Sequence, residues 1–111
     1  VVALQDRDVR NQPQQRDALM HAFAAAEAAV GVLQVRMPRE VSATQLVDGS
    51  GYEVRLQFSE APPRVREFAT AYDVPVATVA HQSREGWSYT EATARIRGVQ
   101  VVAWTLTQDE T

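Results

Sequence analysis

The chain predicts an α+β fold: an antiparallel sheet of about five strands made from two hairpins, with two helices on one face, in the order α-β-β-β-α-β-β-β. Three observations lead there. Two alternating runs, Trp87 to Ile96 and Val99 to Leu106, flank Arg97-Gly98 as the arms of a β-hairpin. A second pair, Val41 to Val47 and Tyr52 to Phe58, surrounds Asp48-Gly49-Ser50-Gly51, whose glycines supply the positive backbone dihedrals of a tight connection. Two stretches with helical periodicity, each opened by proline, separate these strands.

Taken in order, residues 1–12 read as an N-terminal arm, apolar over Val1-Val2-Ala3-Leu4 and polar from Gln5 to Gln12. Residues 13–107 form a single α+β domain and 108–111 a C-terminal tail. Pro13 suits the first turn of a helix, where its missing amide proton has no partner to lose, and Gly31 suits the exit. Leu19, Phe23, Ala26 and Val30 make the apolar stripe of that helix, and its many alanines leave a slim surface for close approach. Leu33, Val35 and Met37 then alternate with Gln34 and Arg36 until Pro38, as a short edge strand would. In the return arm of the next hairpin, Tyr52, Val54, Leu56 and Phe58 face one way and Glu53, Arg55 and Gln57 the other. Pro62-Pro63 open a second helix striped by Val65, Phe68, Ala69 and Tyr72, which Pro75 ends. Extended character resumes from Val76 to His81, and Gln82 to Gly86 lead into the last hairpin.

Placing Ile96 opposite Val99 divides that hairpin into two faces. One carries Thr90, Ala92, Ala94, Ile96, Val99, Val101, Ala103 and Thr105; the other carries Trp87, Tyr89, Glu91, Thr93, Arg95, Gln100, Val102, Trp104 and Leu106. Alanines fill little volume but admit a helix closely, so the helices are placed on the first face, against the alternative that a helix covers the aromatic face as ordinary core and leaves the alanines outside. The second is left for a partner.

Composition narrows the function. At 111 residues, with 45% hydrophobic and 23% charged residues, the chain has the balance of one globular domain. Its longest apolar run, Ala22 to Leu33, is interrupted by Glu27 and is shorter than the roughly 20 residues that span a bilayer. A membrane role is not expected, and no secretory segment is visible, although a start at Val1 without methionine points to upstream sequence. The absence of cysteine removes disulfides, thiolate metal sites and cysteine nucleophiles, and makes the cytoplasm the default compartment. All 11 basic residues are arginine and isoleucine occurs only at Ile96, a bias expected of a high-GC genome such as an actinobacterium or one of its phages. A net charge of −3 disfavours nonspecific binding to nucleic acid or anionic lipid.

No catalytic signature emerges. His81 lies near Ser83, Glu85 and Tyr89, but a triad needs a base within reach of its nucleophile and a third group to orient it, and no G-x-S-x-G turn surrounds Ser83 or Ser88. A histidine ending a strand more simply bonds to its loop. His21 and His81, with Glu85 or Glu91, fall in no metal-ligand spacing, and Asp48 to Gly51 lead into a strand rather than a helix, so neither a metal nor a phosphate-cradling loop is expected and no cofactor is called for.

The reading with most support is a non-enzymatic interaction module that forms a homodimer through the aromatic sheet face. Trp87, Tyr89, Val102, Trp104 and Leu106 supply its apolar surface, and Glu91 and Arg95 its register. The first alternative is a small-molecule or enzymatic pocket walled by Tyr52, Phe58, Tyr72 and His81. The second is a nucleic-acid regulator in which Tyr89 and Trp104 stack on bases beside Arg95 and Arg97, against which Glu91 shares the face.

Overall fold

This computed structural model describes residues 2–33 and 37–109, with side chains from residue 14 onward. Two helices cover one side of a five-stranded sheet. The order is α1 (Val2–Gly31), β1 (Glu40–Gln45), β2 (Tyr52–Ser59), α2 (Pro62–Tyr72), β3 (Ala77–Ala80), β4 (Trp87–Ile96) and β5 (Val99–Gln108). The additional strand expected from Leu33 to Met37 falls on residues 34–36, outside the described residues.

The sheet is mixed rather than antiparallel throughout. Its strands lie in the order β1-β2-β5-β4-β3, with β2 parallel to β5 and every other pair antiparallel. The connection explains the difference. A helix lying back along a sheet returns the chain to the end where the preceding strand began, so β3 leaves α2 in the direction of β2. Two tight reversals then deliver β5 in that same direction. It joins β2 and closes the two halves into one sheet.

The β4–β5 register pairs Ile96 with Val99, so the two faces of the hairpin divide as their alternation requires. Its two turn residues, Arg97 and Gly98, have φ of 52° and 80°, the pair of positive dihedrals that matches strand twist in a two-residue hairpin. In the β1–β2 connection, Leu46 N–H donates to the Gly51 carbonyl at 2.8 Å and Gly49 sits at φ 75°. The Asp48 carboxylate there accepts Ser50 Oγ–H at 2.7 Å and Ser50 N–H at 2.9 Å, bonds that hold its carboxyl below the usual range.

Helix α1 begins at Val2, so the stretch expected to be an arm is helical from that residue and Pro13 stands within the helix. Residues 2–12 include good helix formers such as Leu4, Gln5, Arg7 and Arg10. Pro13 removes one amide donor from the ladder without ending it. The buried face of α1 is also rotated from the expected stripe. Ala22, Ala25, Ala26 and Ala29 are buried with Leu33, whereas Phe23 is 54% exposed and Met20 60%. Recurrence at 22, 25, 26, 29 and 33 is the same helical period shifted by one position, and methyl side chains let the helix axis come close to a sheet that is itself lined by Ala92, Ala94 and Ala103.

In α2 the expected stripe holds: Val65, Phe68 and Ala69 are buried, and Tyr72 stacks at 5.1 Å from Phe68. Tyr72 donates its hydroxyl to the Ala28 carbonyl of α1 at 3.3 Å, and burial pushes its phenol pKa up. The helix stops at Asp73, which takes φ 54°, while Val74 N–H reaches back to the Ala69 carbonyl at 3.0 Å.

One buried polar group ties α2 to the sheet. Thr105 Oγ1, fully buried on β5, donates to the Phe58 carbonyl at 2.7 Å and accepts Ala61 N–H at 3.1 Å. It thereby joins the end of β2 to the start of α2. Thr105→Val keeps the shape and deletes both bonds, leaving a buried carbonyl and an amide without this partner. The substitution is expected to lower unfolding free energy by about 1–3 kcal/mol in denaturant titration, with the fold retained.

Candidate functional site

Both helices lie on the alanine-lined face, whose residues join those of α1 and α2 in a single core. The opposite face carries Glu53, Arg55 and Gln57 of β2, Gln100, Val102, Trp104 and Leu106 of β5, Trp87, Tyr89, Glu91, Thr93 and Arg95 of β4, and Ala77 and Val79 of β3. Neither helix covers it. Val102 nevertheless is only 3% exposed, flanked in register by Arg55 and Thr93, and it stands apart from the helix-side core.

At the centre of this face a hydrogen-bonded chain crosses three strands. Gln100 Nε2 donates to Glu53 Oε2 at 3.2 Å, and Arg55 Nη1 donates to Glu53 Oε1 at 2.9 Å. The other arm of Arg55 passes over β5, where Nη2 donates to Tyr89 Oη at 2.9 Å, and the Tyr89 hydroxyl donates onward to Glu91 Oε2 at 2.7 Å. Trp104 lies below this arch, its ring 5.5 Å from the Arg55 guanidinium carbon and 5.7 Å from the Tyr89 ring, tilted by 32°. The Arg55–Glu53 pair is part-exposed, with side chains 36% and 19% accessible, so its direct contribution to stability is at most about 1 kcal/mol. Its larger effect is geometric: Arg55, Tyr89 and Trp104 are held in one arrangement before anything binds.

Tyr89 records this environment. Burial, reinforced by its bond to the Glu91 carboxylate and opposed by the Arg55 charge, pushes its phenol up to about 12.

The face has a second, separate hollow at the end of the sheet. Arg84 stacks over Trp87 at 3.8 Å from the ring centre, and Trp87 and Leu106 share a cavity of about 220 Å³ with Arg39 and Gln57. The two tryptophans therefore sit in separate surroundings on the same face. Arg95 stands at the opposite end and donates to the Gly98 carbonyl at 3.1 Å rather than joining the central chain.

Arg55 and Glu53 were not singled out by the sequence. The alternation of β2 placed them on its polar side, but only parallel pairing with β5 sets Arg55 beside Val102 and within reach of Tyr89.

The four residues of the alternative pocket are not brought together. Phe58 is 3% exposed in the core, and Tyr72 packs between α2 and α1. Tyr52 starts β2 at the end of the sheet near the 97–98 turn, whereas His81 follows β3 at the other end, where its amide donates to the Trp87 carbonyl at 2.8 Å. His81 Nδ1 lies 3.4 Å from Ser83 Oγ on an exposed loop. Among the described residues no three metal-ligating side chains converge, and no helix is long and apolar enough to cross a membrane.

Comparison of the chain with protein-family models, curated proteins and solved structures finds no match. The geometry alone carries the functional argument.

Titration by tyrosinate absorbance is expected to show one phenol ionising near pH 12, and Glu91→Gln to bring that step down, because the carboxylate bond disfavours the anion. An unfolded tyrosine ionises near pH 10. With the folded pKa raised, the contribution of Tyr89 to stability is complete below that pH and declines as pH rises from about 10 to about 12. A Glu91→Gln variant whose late step is unmoved would exclude the bond as a cause.

Proposed function

We propose that the protein is a non-enzymatic interaction module whose uncovered sheet face joins a second copy of itself. One observation carries this reading: both helices occupy the alanine side, leaving Tyr89, Trp104 and Leu106 half-buried on a side that, among the described residues, no other element shields. Aromatic side chains bury large area at small entropic cost, and here their rotamers are already restrained by Arg55 and Glu91.

Charge is compatible with a second copy as the occupant. The face carries Glu40, Glu53 and Glu91 together with Arg55 and Arg95, so a copy turned by a two-fold rotation can set acids of one against bases of the other. This mixed character fits single-stranded nucleic acid less well. Glu53 and Glu91 accept hydrogen bonds from the Arg55 and Tyr89 groups that would otherwise meet phosphate and base. Trp104, Tyr89 and Leu106 act as apolar anchors in this reading, Trp87 and Arg84 extend the contact, and Glu91 and Arg95 define its register; Val102, expected on the contact surface, is only 3% exposed and supports the face from beneath. The cytoplasm suits a chain that forgoes cysteine.

Sedimentation velocity over a concentration series tests the proposal. The parent chain is expected to show a monomer–dimer equilibrium, and Trp104→Ala to weaken it by more than about 1 kcal/mol while the circular dichroism of the monomer is unchanged. A parent chain that remains monomeric at the highest attainable concentration overturns the reading.

A further inference from the structure

A cleft of about 280 Å³ opens at the end of the sheet nearest the 97–98 turn, separate from the aromatic centre. Helix α1 bounds it through Ala18 and His21, the β1–β2 connection through Gly51 and Tyr52, and the β4–β5 turn through Arg95 and Arg97. Among the described residues no carboxylate lines it. Of the acids next to this wall in sequence, Asp48 is bound by Ser50 and Glu53 by Arg55 and Gln100, while Asp17, beside Ala18 on α1, is not among the lining residues. Among the described residues, neither Arg95 nor Arg97 forms an ion pair. Two guanidinium groups without an ion pair among the described residues thus line one hollow of a chain whose net charge is −3.

The conformation of the turn adds a second, independent observation. Arg97 is held at φ 52°, where a side chain other than glycine, asparagine or aspartate costs about 1 kcal/mol or more. Reversing the chain does not require arginine there. Arg95 is meanwhile anchored by its bond to the Gly98 carbonyl, which uses one of the five N–H donors of a guanidinium and leaves the others for a ligand.

We infer that this cleft binds a small organic anion, with its phosphate or carboxylate group held by Arg95 and Arg97 and an apolar remainder resting on Tyr52 and Leu46. Guanidinium groups match planar or tetrahedral oxyanions through paired N–H donors. The volume lies just below the roughly 300 Å³ at which pockets begin to take drug-sized ligands, which favours a compact molecule over a nucleotide.

Amide-resolved NMR titrations at low ionic strength with inorganic phosphate, phenyl phosphate and benzoate test this. Saturable shifts are expected at Gly51, Arg97 and Gly98, with phenyl phosphate or benzoate binding more tightly than inorganic phosphate, and the stronger of the two identifies the headgroup. Arg97→Asn, which suits the positive φ, is expected to bind at least about tenfold more weakly while melting no lower than the parent. Arg95→Gln is expected to lose affinity likewise, and Arg84→Ala, outside the cleft, to retain it. Absence of saturable shifts with all three probes overturns the site, as does an Arg97→Asn variant that binds like the parent. Equal binding of inorganic and phenyl phosphate removes the part assigned to Tyr52. The Arg97→Asn result is independent of whether the sheet face self-associates, because Arg97 lies outside the proposed contact; Arg95 belongs to both surfaces, so its variant is read at a concentration where the chain is monomeric.

Discussion

The parallel seam between β2 and β5 is the contact on which the rest of the molecule depends. An N-terminal hairpin and a C-terminal three-stranded meander meet in the sheet only there. On the helix side the seam sets Val54 beside Val101, Leu56 beside Ala103 and Phe58 beside Thr105, all buried. Thr105 then secures the chain where it leaves β2 for α2. On the other side the same register sets Glu53 beside Gln100 and Arg55 beside Val102. Parallel pairing is slightly weaker per residue than antiparallel pairing, so the side-chain bonds across this join supplement the backbone ladder where it most needs them.

From that seam follow two faces of different character. One is a closely packed core in which the alanines of α1 and of the sheet surround Leu56, Val65, Phe68 and Val101, so that volume is nearly fixed. The other is a shallow aromatic surface laced by a polar chain running Gln100, Glu53, Arg55, Tyr89, Glu91. The arch of Arg55 over β5 explains how a sheet with no helix on this side keeps Val102 dry and two aromatic rings in fixed orientation. Order here comes from side chains, not from an additional layer of secondary structure.

Local pattern was legible wherever it depended on neighbours in sequence. The Ile96–Val99 register, the division of the last hairpin and the stripe of α2 follow from period and turn chemistry, whereas the choice of face for the helices rests on alanine volume alone, and the sequence leaves it open between the two faces. What could not be read depended on distant partners. The sense of β5 relative to β2 needed the helical crossover to be followed through, and Arg55 gained its place only from that pairing. The rotation of α1 shows a different limit. Phe23 outweighs alanine on any hydrophobic scale, yet the face that packs is the one slim enough to lie against Ala92, Ala94 and Ala103. Shape overrode hydrophobicity. Pro13 misled for a similar reason, because one lost donor is tolerable within a helix that continues on both sides.

The alanine layer also governs how this chain can diverge over generations. Nearly every enlargement at Ala22, Ala25, Ala29, Ala92 or Ala103 would have to be matched by shrinkage across the gap, so drift on that side is confined to coordinated exchanges. Residues on the exposed side meet no opposing layer, so outside the linked chain of Glu53, Arg55, Tyr89 and Glu91 they can be exchanged singly. Descendants of this scaffold can therefore vary that surface while the architecture beneath stays constant.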